Sequence, residues 1–127
     1  MQVTLLKSKL HRASVTAVSP DYSGSLSIDR DLMDAAGFLH HEKILVGNIT
    51  NGERFETYCI PAPSGSGEIA LNGAAAHKGK PGDLVVILSF VSLDPEEAAV
   101  WEPRLILVGN KNLSHELIPL SPTQLYD

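Results

Sequence analysis

The sequence predicts a mainly β domain with short helices, and three observations carry that prediction. The apolar residues, 43% of the chain, fall in short β-branched and aliphatic runs rather than at a helical period. Gly, Pro, Asn and Asp clusters separate the runs. Between two of them stands Asn51-Gly52, a dipeptide that tolerates the positive φ angles of a tight hairpin turn. The length, 127 residues, is that of one domain, able to bury roughly 65–70% of its unfolded surface without staples.

In chain order, residues 3–6 and 13–18 read as strands. Asp29 then caps a short helix to about Ala36, with Asp31 and Asp34 in or near its first turns and Gly37 ending it. Residues 43–49 and 54–60 form a hairpin around Thr50-Asn51-Gly52-Glu53. Residues 61–67, rich in Pro, Ser and Gly, are a loop before a strand at 68–71. Lys78-Gly79-Lys80-Pro81-Gly82-Asp83 turns into the most apolar strand, 84–91. Glu96-Glu97 after Pro95 is the acidic first turn of a short helix. A strand at 104–108 follows, and the tail after Gly109, with Pro119 and Pro122, is expected to fray.

Composition removes several function classes. With 10 Lys+Arg against 15 Asp+Glu and a net charge of −5, the scattered basic residues do not form a nucleic-acid face. The apolar runs are far shorter than the roughly 20 residues a membrane-spanning helix needs. The first nine residues lack the long apolar region of a signal peptide. Cys59 is the only cysteine, so an internal disulfide and every cysteine-rich zinc pattern are excluded, and a reducing cytoplasm is expected.

The histidines, His11, His40, His41, His77 and His115, show no two ligands at metal spacing with a completing carboxylate. Adjacent His40 and His41 are expected to point apart, as surface residues after the helix, and no metal is expected. Walker, Gly-x-Gly-x-x-Gly and Gly-x-Ser-x-Gly patterns do not occur. Asp21-Tyr22-Ser23-Gly24-Ser25 is by composition a turn. In a strained backbone, however, the Ser25 hydroxyl could attack the Gly24 carbonyl, since glycine presents no side chain to block the approach. The resulting ester, after elimination and hydrolysis, would leave a pyruvoyl group derived from Ser25.

Several segments together resemble the bacterial L-aspartate α-decarboxylase family. They are Lys7-Ser8-Lys9-Leu10-His11-Arg12-Ala13, Tyr22-Ser23-Gly24-Ser25, residues 28–37, Thr50-Asn51-Gly52-Glu53-Arg54 with Thr57-Tyr58, and Leu71-Asn72-Gly73-Ala74-Ala75-Ala76-His77. They run in family order from about residue 3 to residue 108. The resemblance implies a six-stranded double-ψ β-barrel, homotetramers with active sites between neighbouring subunits, and a pyruvoyl-dependent conversion of L-aspartate to β-alanine and carbon dioxide for pantothenate and coenzyme A. It implies self-cleavage at Gly24-Ser25 of a single domain, 1–127, into fragments 1–24 and 25–127, with an accessory maturation factor left open.

The same resemblance assigns roles. Ser25 becomes the pyruvoyl group, which takes the substrate amine as a Schiff base. Thr57 supports ester formation at the Gly24 carbonyl, and Tyr58 donates the proton to carbon after carbon dioxide leaves. Lys9, His11 and Arg54 receive the two substrate carboxylates. Asn72, Gly73, Ala74, Ala75 and Ala76 line the substrate pocket, and Tyr22 shapes the processing turn or the pocket. Neither a metal nor pyridoxal phosphate is required. Two positions depart from the family: Asp21, often His, and Gly47, bulkier elsewhere. Competing readings are a β-barrel binding module that never processes and a pyruvoyl decarboxylase of another acidic amino acid. Glutamate tests the latter, since one added methylene costs roughly 1–3 kcal/mol in a tight pocket.

Overall fold

The computed structural model describes residues 1–119, and the mainly β reading with short helices holds there. Nine strands occur among the described residues: β1 (Val3–Ser14), β2 (Ala17–Ser19), β3 (Ser25–Asp29), β4 (Lys43–Asn48), β5 (Arg54–Ala62), β6 (Ile69–Asn72), β7 (Leu84–Leu93), β8 (Arg104–Val108) and β9 (His115–Leu117). Two short helices, α1 (Arg30–Ala36) and α2 (Pro95–Ala99), and two 3-10 turns, Gly73–Lys78 and Asn110–Asn112, complete it. The strand order is β2-β6-β3-β5-β4-β7-β1-β8-β9. The pairs β1–β8, β2–β6 and β3–β5 are parallel and the rest antiparallel. No helix among the described residues is long and apolar enough to cross a membrane.

Alternation along the strands decides what is buried. Ile44 and Val46 on β4 and Val85 and Ile87 on β7 point into the core with Leu10, Leu26, Ile28, Cys59 and Leu71. Leu45 and Gly47 on β4, Val86 and Leu88 on β7, and Lys9 and His11 on β1 therefore share the opposite face. The expected hairpin is present: β4 and β5 pair antiparallel, Gly47 opposite Arg54, and Gly52 takes φ 81°. The helix after Asp29 and the acidic turn after Pro95 also form as read.

Three expectations need correction. The strand at 3–6 continues to Ser14, because Ser8 and Leu10 point inward while Lys7 and Arg12 are absorbed at register shifts, Arg12 with φ 66°. Residues 13–18 are not one strand. Ala13 and Ser14 finish β1, the Val15 N–H donates to the Asp83 carbonyl at 2.9 Å, and only from Ala17 does the chain pair with β6. The tail after Gly109 does not fray over its described part. Buried Asn112 accepts from the Ser14 N–H at 2.8 Å and donates to the Ser14 and Gly67 carbonyls at 2.7 and 2.8 Å, and β9 pairs with β8. Pro122 lies outside the described residues. Sequence reading also passed over β3, whose Ser-Leu-Ser-Ile-Asp alternation is hidden by residues usually found in turns.

Candidate active site

Ser25 opens β3 and is 1% exposed. Its antiparallel partner on β6 is Asn72, so the two side chains share a face. The buried Asn72 amide donates to Ser25 Oγ at 3.0 Å and to Ser27 Oγ at 2.9 Å. Ser27 was not singled out from sequence. Its signal was its position two residues after Ser25, which puts it on the same side of a strand, and the strand itself went unread. Asn72 also precedes the 3-10 turn Gly73–Lys78 but makes no side-chain cap there; its amide is committed to the two serines.

Gly73 follows with φ 68°. A methyl group on it would lie 2.6 Å from Gly24 Cα, 2.8 Å from Gly24 N and 3.0 Å from the Tyr22 carbonyl oxygen. The loop of residues 22–24 therefore rests against a bare glycine. Tyr22 and Gly24 are exposed, and the space where a Gly24 side chain would stand is empty. Ala75 and Ala76 are buried, whereas Ala74 faces outward.

The parallel ladder sets Leu26 opposite Cys59. Counting back one residue on each strand brings Ser25 abreast of Tyr58, and counting back two brings Gly24 abreast of Thr57. Residues abreast in a ladder share a face, so Tyr58 falls on the Ser25 side and Thr57 on the other. Tyr58 is 36% exposed. Its ring lies 5.7 Å, centroid to centroid, from that of His41, tilted by 60°. His40 and His41 do not point apart as expected: their rings stack at 3.9 Å. His41, with φ 72°, sits in a turn whose N–H donates to the Cys59 carbonyl at 2.8 Å, and strand alternation does not govern a turn.

The expected anion receptors stand elsewhere. Lys9 and His11, two residues apart on β1, are about 7 Å apart along one face. His11 pairs with Val86, Val86 with Gly47, and Gly47 with Arg54, so these four occupy one row across β1, β7, β4 and β5. Three strand spacings separate His11 from Arg54, about 14 Å. Gly47 leaves that row without a side chain on β4, and a methyl there would come 3.1 Å from Val86 Cγ1. Arg54 lies four residues before Tyr58 on β5, about 13 Å along the strand. Burial foremost, then Lys9 and Arg12, hold His11 below the ordinary histidine pKa, and its Nδ1 is buried without a partner among the described residues. Asp21 is exposed. Among the described residues, no three His, Cys, Asp or Glu side chains gather where a metal could sit.

Chemically, β3, β6 and the turn after β6 hold a buried hydroxyl beside a flexible Gly-Ser peptide, with an amide donor fixed on the hydroxyl. A phenol is abreast of it on β5, and Lys9 and Arg54 stand on adjoining rows of the face shared by Leu45 and Gly47. The family model for aspartate decarboxylase matches residues 1–115. The chain is 54% identical over 112 residues to a protein of Thioalkalivibrio sulfidiphilus named aspartate 1-decarboxylase, covering 88% of this chain and 89% of that one. It is 51% identical over 112 residues to one of the same name from Acetivibrio thermocellus, again 88% and 89%. With one from Shouchella clausii it shares 47% over 122 residues, 96% of each chain.

Proposed function

The chain belongs to the aspartate decarboxylase family, and from that premise we propose that it removes the α-carboxyl group of L-aspartate, giving β-alanine for pantothenate synthesis. It does so after cutting itself between Gly24 and Ser25. The observation that carries the reading is the burial of Ser25 at the start of β3 with its hydroxyl held by Asn72, next to a glycine with open space where a side chain would stand.

Maturation begins with attack of Ser25 Oγ on the Gly24 carbonyl carbon. A C–O bond forms, the Gly24–Ser25 C–N bond breaks, and the hydroxyl proton ends on the freed amine of Ser25. Asn72 orients the oxygen. Thr57, abreast of Gly24 in the ladder register, supports the carbonyl as negative charge develops on it. Loss of the Ser25 Cα proton with departure of the Gly24 carboxylate, then hydrolysis by water with release of ammonia, leaves a pyruvoyl group on residues 25–127.

The residues fit such a group. A bare Gly73 lies under the scissile loop, and Asn72 already donates to the oxygen at the reacting position. When present, the pyruvoyl group supplies a ketone for the substrate amine and a sink for the electrons released as carbon dioxide leaves, the part pyridoxal phosphate plays in other decarboxylases. Tyr58 holds the proton that carbon then receives. Lys9 and Arg54 bind the substrate carboxylates, Arg54 through its planar fork, and His11 contributes a hydrogen bond. Ala74, Ala75 and Ala76 continue the pocket wall beyond Gly73, and Tyr22 shapes its entrance.

Within one copy the backbone of Arg54 stands about 13 Å along β5 from Tyr58, the residue abreast of Ser25, and Lys9 and His11 stand on β1, beyond β7 and β4 from β5. That separation supports a homotetramer in which Lys9, His11 and Arg54 of one copy serve the Ser25 of its neighbour. Family membership supports a six-stranded double-ψ barrel and a cytoplasmic enzyme.

The test is the intact mass of the denatured protein before and after warming, with a carbonyl-reactive probe. Two fragments parting at Gly24-Ser25 are expected, the larger lighter than simple hydrolysis gives by one ammonia and labelled by the probe. Ser25→Ala is expected to remain one unlabelled chain without activity. A wild-type chain that stays whole and forms no β-alanine from aspartate, even when cell extract is added to supply any maturation factor, refutes the reading.

A further inference from the structure

Gly73 carries more than the wall of a substrate pocket. Its missing side chain is filled by the chain's own backbone: Gly24 Cα at 2.6 Å, Gly24 N at 2.8 Å and the Tyr22 carbonyl oxygen at 3.0 Å from where a Cβ would stand. All three atoms belong to the loop that delivers the Gly24 carbonyl, and none is the movable end of a side chain. Its neighbour Asn72 holds the other reactant, the Ser25 hydroxyl, at 3.0 Å. Two consecutive residues at the end of β6 thus address both halves of one reaction, one by a hydrogen bond and one by leaving room.

We propose that Gly73 is a positioning residue for self-cleavage, the seat on which residues 22–24 rest so that the Gly24 carbonyl carbon stays within reach of Ser25 Oγ. The proposal deepens the self-cleavage reading and rests on it. A methyl at Gly73 cannot enter without lifting Gly24, since contacts this short do not occur between a Cβ and backbone. The carbonyl moves with its residue while Asn72 keeps the hydroxyl in place. An acyl shift needs the two reacting atoms about 3–3.5 Å apart and aligned, and a displacement near 1 Å costs on the order of 100-fold in rate.

Gly73 also has a positive φ, so an added side chain strains the backbone as well as crowding the loop. Gly52 separates the two effects. Its φ is 81°, and nothing lies within 4 Å of where its Cβ would stand, so Gly52→Ala brings the strain without the crowding.

The experiment follows the appearance of the 1–24 and 25–127 fragments by mass in wild type, Gly73→Ala and Gly52→Ala, scored on folded, freshly made precursor alongside its thermal midpoint. Gly73→Asn is the companion variant, because asparagine tolerates a positive φ while still carrying a Cβ. The expected result is cleavage slowed on the order of 100-fold in both Gly73 variants and wild-type cleavage in Gly52→Ala. Wild-type cleavage in either Gly73 variant overturns the proposal. So does equal slowing in Gly52→Ala, which makes strain the cause, or loss of fold in both Gly73 variants, which makes the glycine a requirement of folding. A wild-type precursor that never cuts, even with added cell extract, refutes the parent reading instead, and the proposal falls with it.

Discussion

The imidazole of His11 stands on β1 between Lys9 and Arg12, and burial, then those two cations, hold its pKa below the ordinary 6.5. A neutral imidazole can donate a hydrogen bond to a carboxylate but adds no charge, so in the proposed reading the charge for an acidic substrate falls to Lys9 and Arg54. The same shift links stability to pH. The folded state binds the proton less readily than the unfolded chain, so the contribution is present above 6.5 and is lost as pH falls from there through the lowered folded value. His11→Gln removes the titration. Urea unfolding at about pH 7.5 and pH 5 is expected to show wild type losing more stability on acidification than the variant. Asp83 and Asp94, whose pKa values are also lowered, chiefly by hydrogen bonds from Asn48 and from the Glu97 backbone, act equally in both proteins and cancel in the difference. Parallel losses would remove His11 from the account.

Among the elements, α1 shows what was legible and why. Its start and stop were readable because they are local: Asp29 accepts from the Asp31 N–H at 2.9 Å, and Gly37 closes the last turn at φ 73°. The long-range half of the same design was not readable. The buried Asp29 carboxylate also accepts from the Gly65 and Gly67 N–H groups at 3.2 and 2.9 Å, tying the 61–67 loop to the helix. At the other end the helix has no basic residue in its last turn. Arg104 from β8 donates to the Ala35 carbonyl at 3.0 Å, Lys7 from β1 to that of Gly37 at 3.0 Å, and Ser8 to that of Ala36. Hairpin β4–β5 was legible for the same local reason, whereas β3 was not, because it pairs only with β5 and β6, far away in sequence. Asp29→Ala removes a cap and leaves two loop N–H groups unsatisfied, and is expected to cost roughly 2–4 kcal/mol. Asp29→Asn, which keeps one acceptor, is expected to cost less. Denaturant midpoints decide it, and a loss under about 0.5 kcal/mol for Asp29→Ala would show that the loop finds other partners.

At the scale of the whole molecule, the site residues fall into two sets that one chain holds apart. The family resemblance assigns Lys9, His11 and Arg54 to one function with Ser25 and Tyr58, but it carries no information on where the sheet sets them, because that depends on register between strands distant in sequence. The register places His11 and Arg54 on the row through Val86 and Gly47, Lys9 on the adjoining row through Leu88 and Leu45, and Ser25 and Tyr58 on β3 and β5 by Asn72. Aspartate is only a few bonds long, and the backbone of Arg54 lies about 13 Å along β5 from that of Tyr58. Under the proposed reading, a second copy would supply the cations. If so, Tyr58→Phe, cleaved but inactive, and Arg54→Ala, also inactive, damage opposite halves of each shared site. When the two variants are produced together in equal amounts, about a quarter of sites in randomly mixed, ring-closed oligomers join an intact Tyr58 to an intact Arg54. β-Alanine formation should return to about that share of wild type in the mixture and stay absent from each variant alone. If the mixture is as silent as its parts, both sets serve within one chain, and the shared-site arrangement falls while the decarboxylase reading stands.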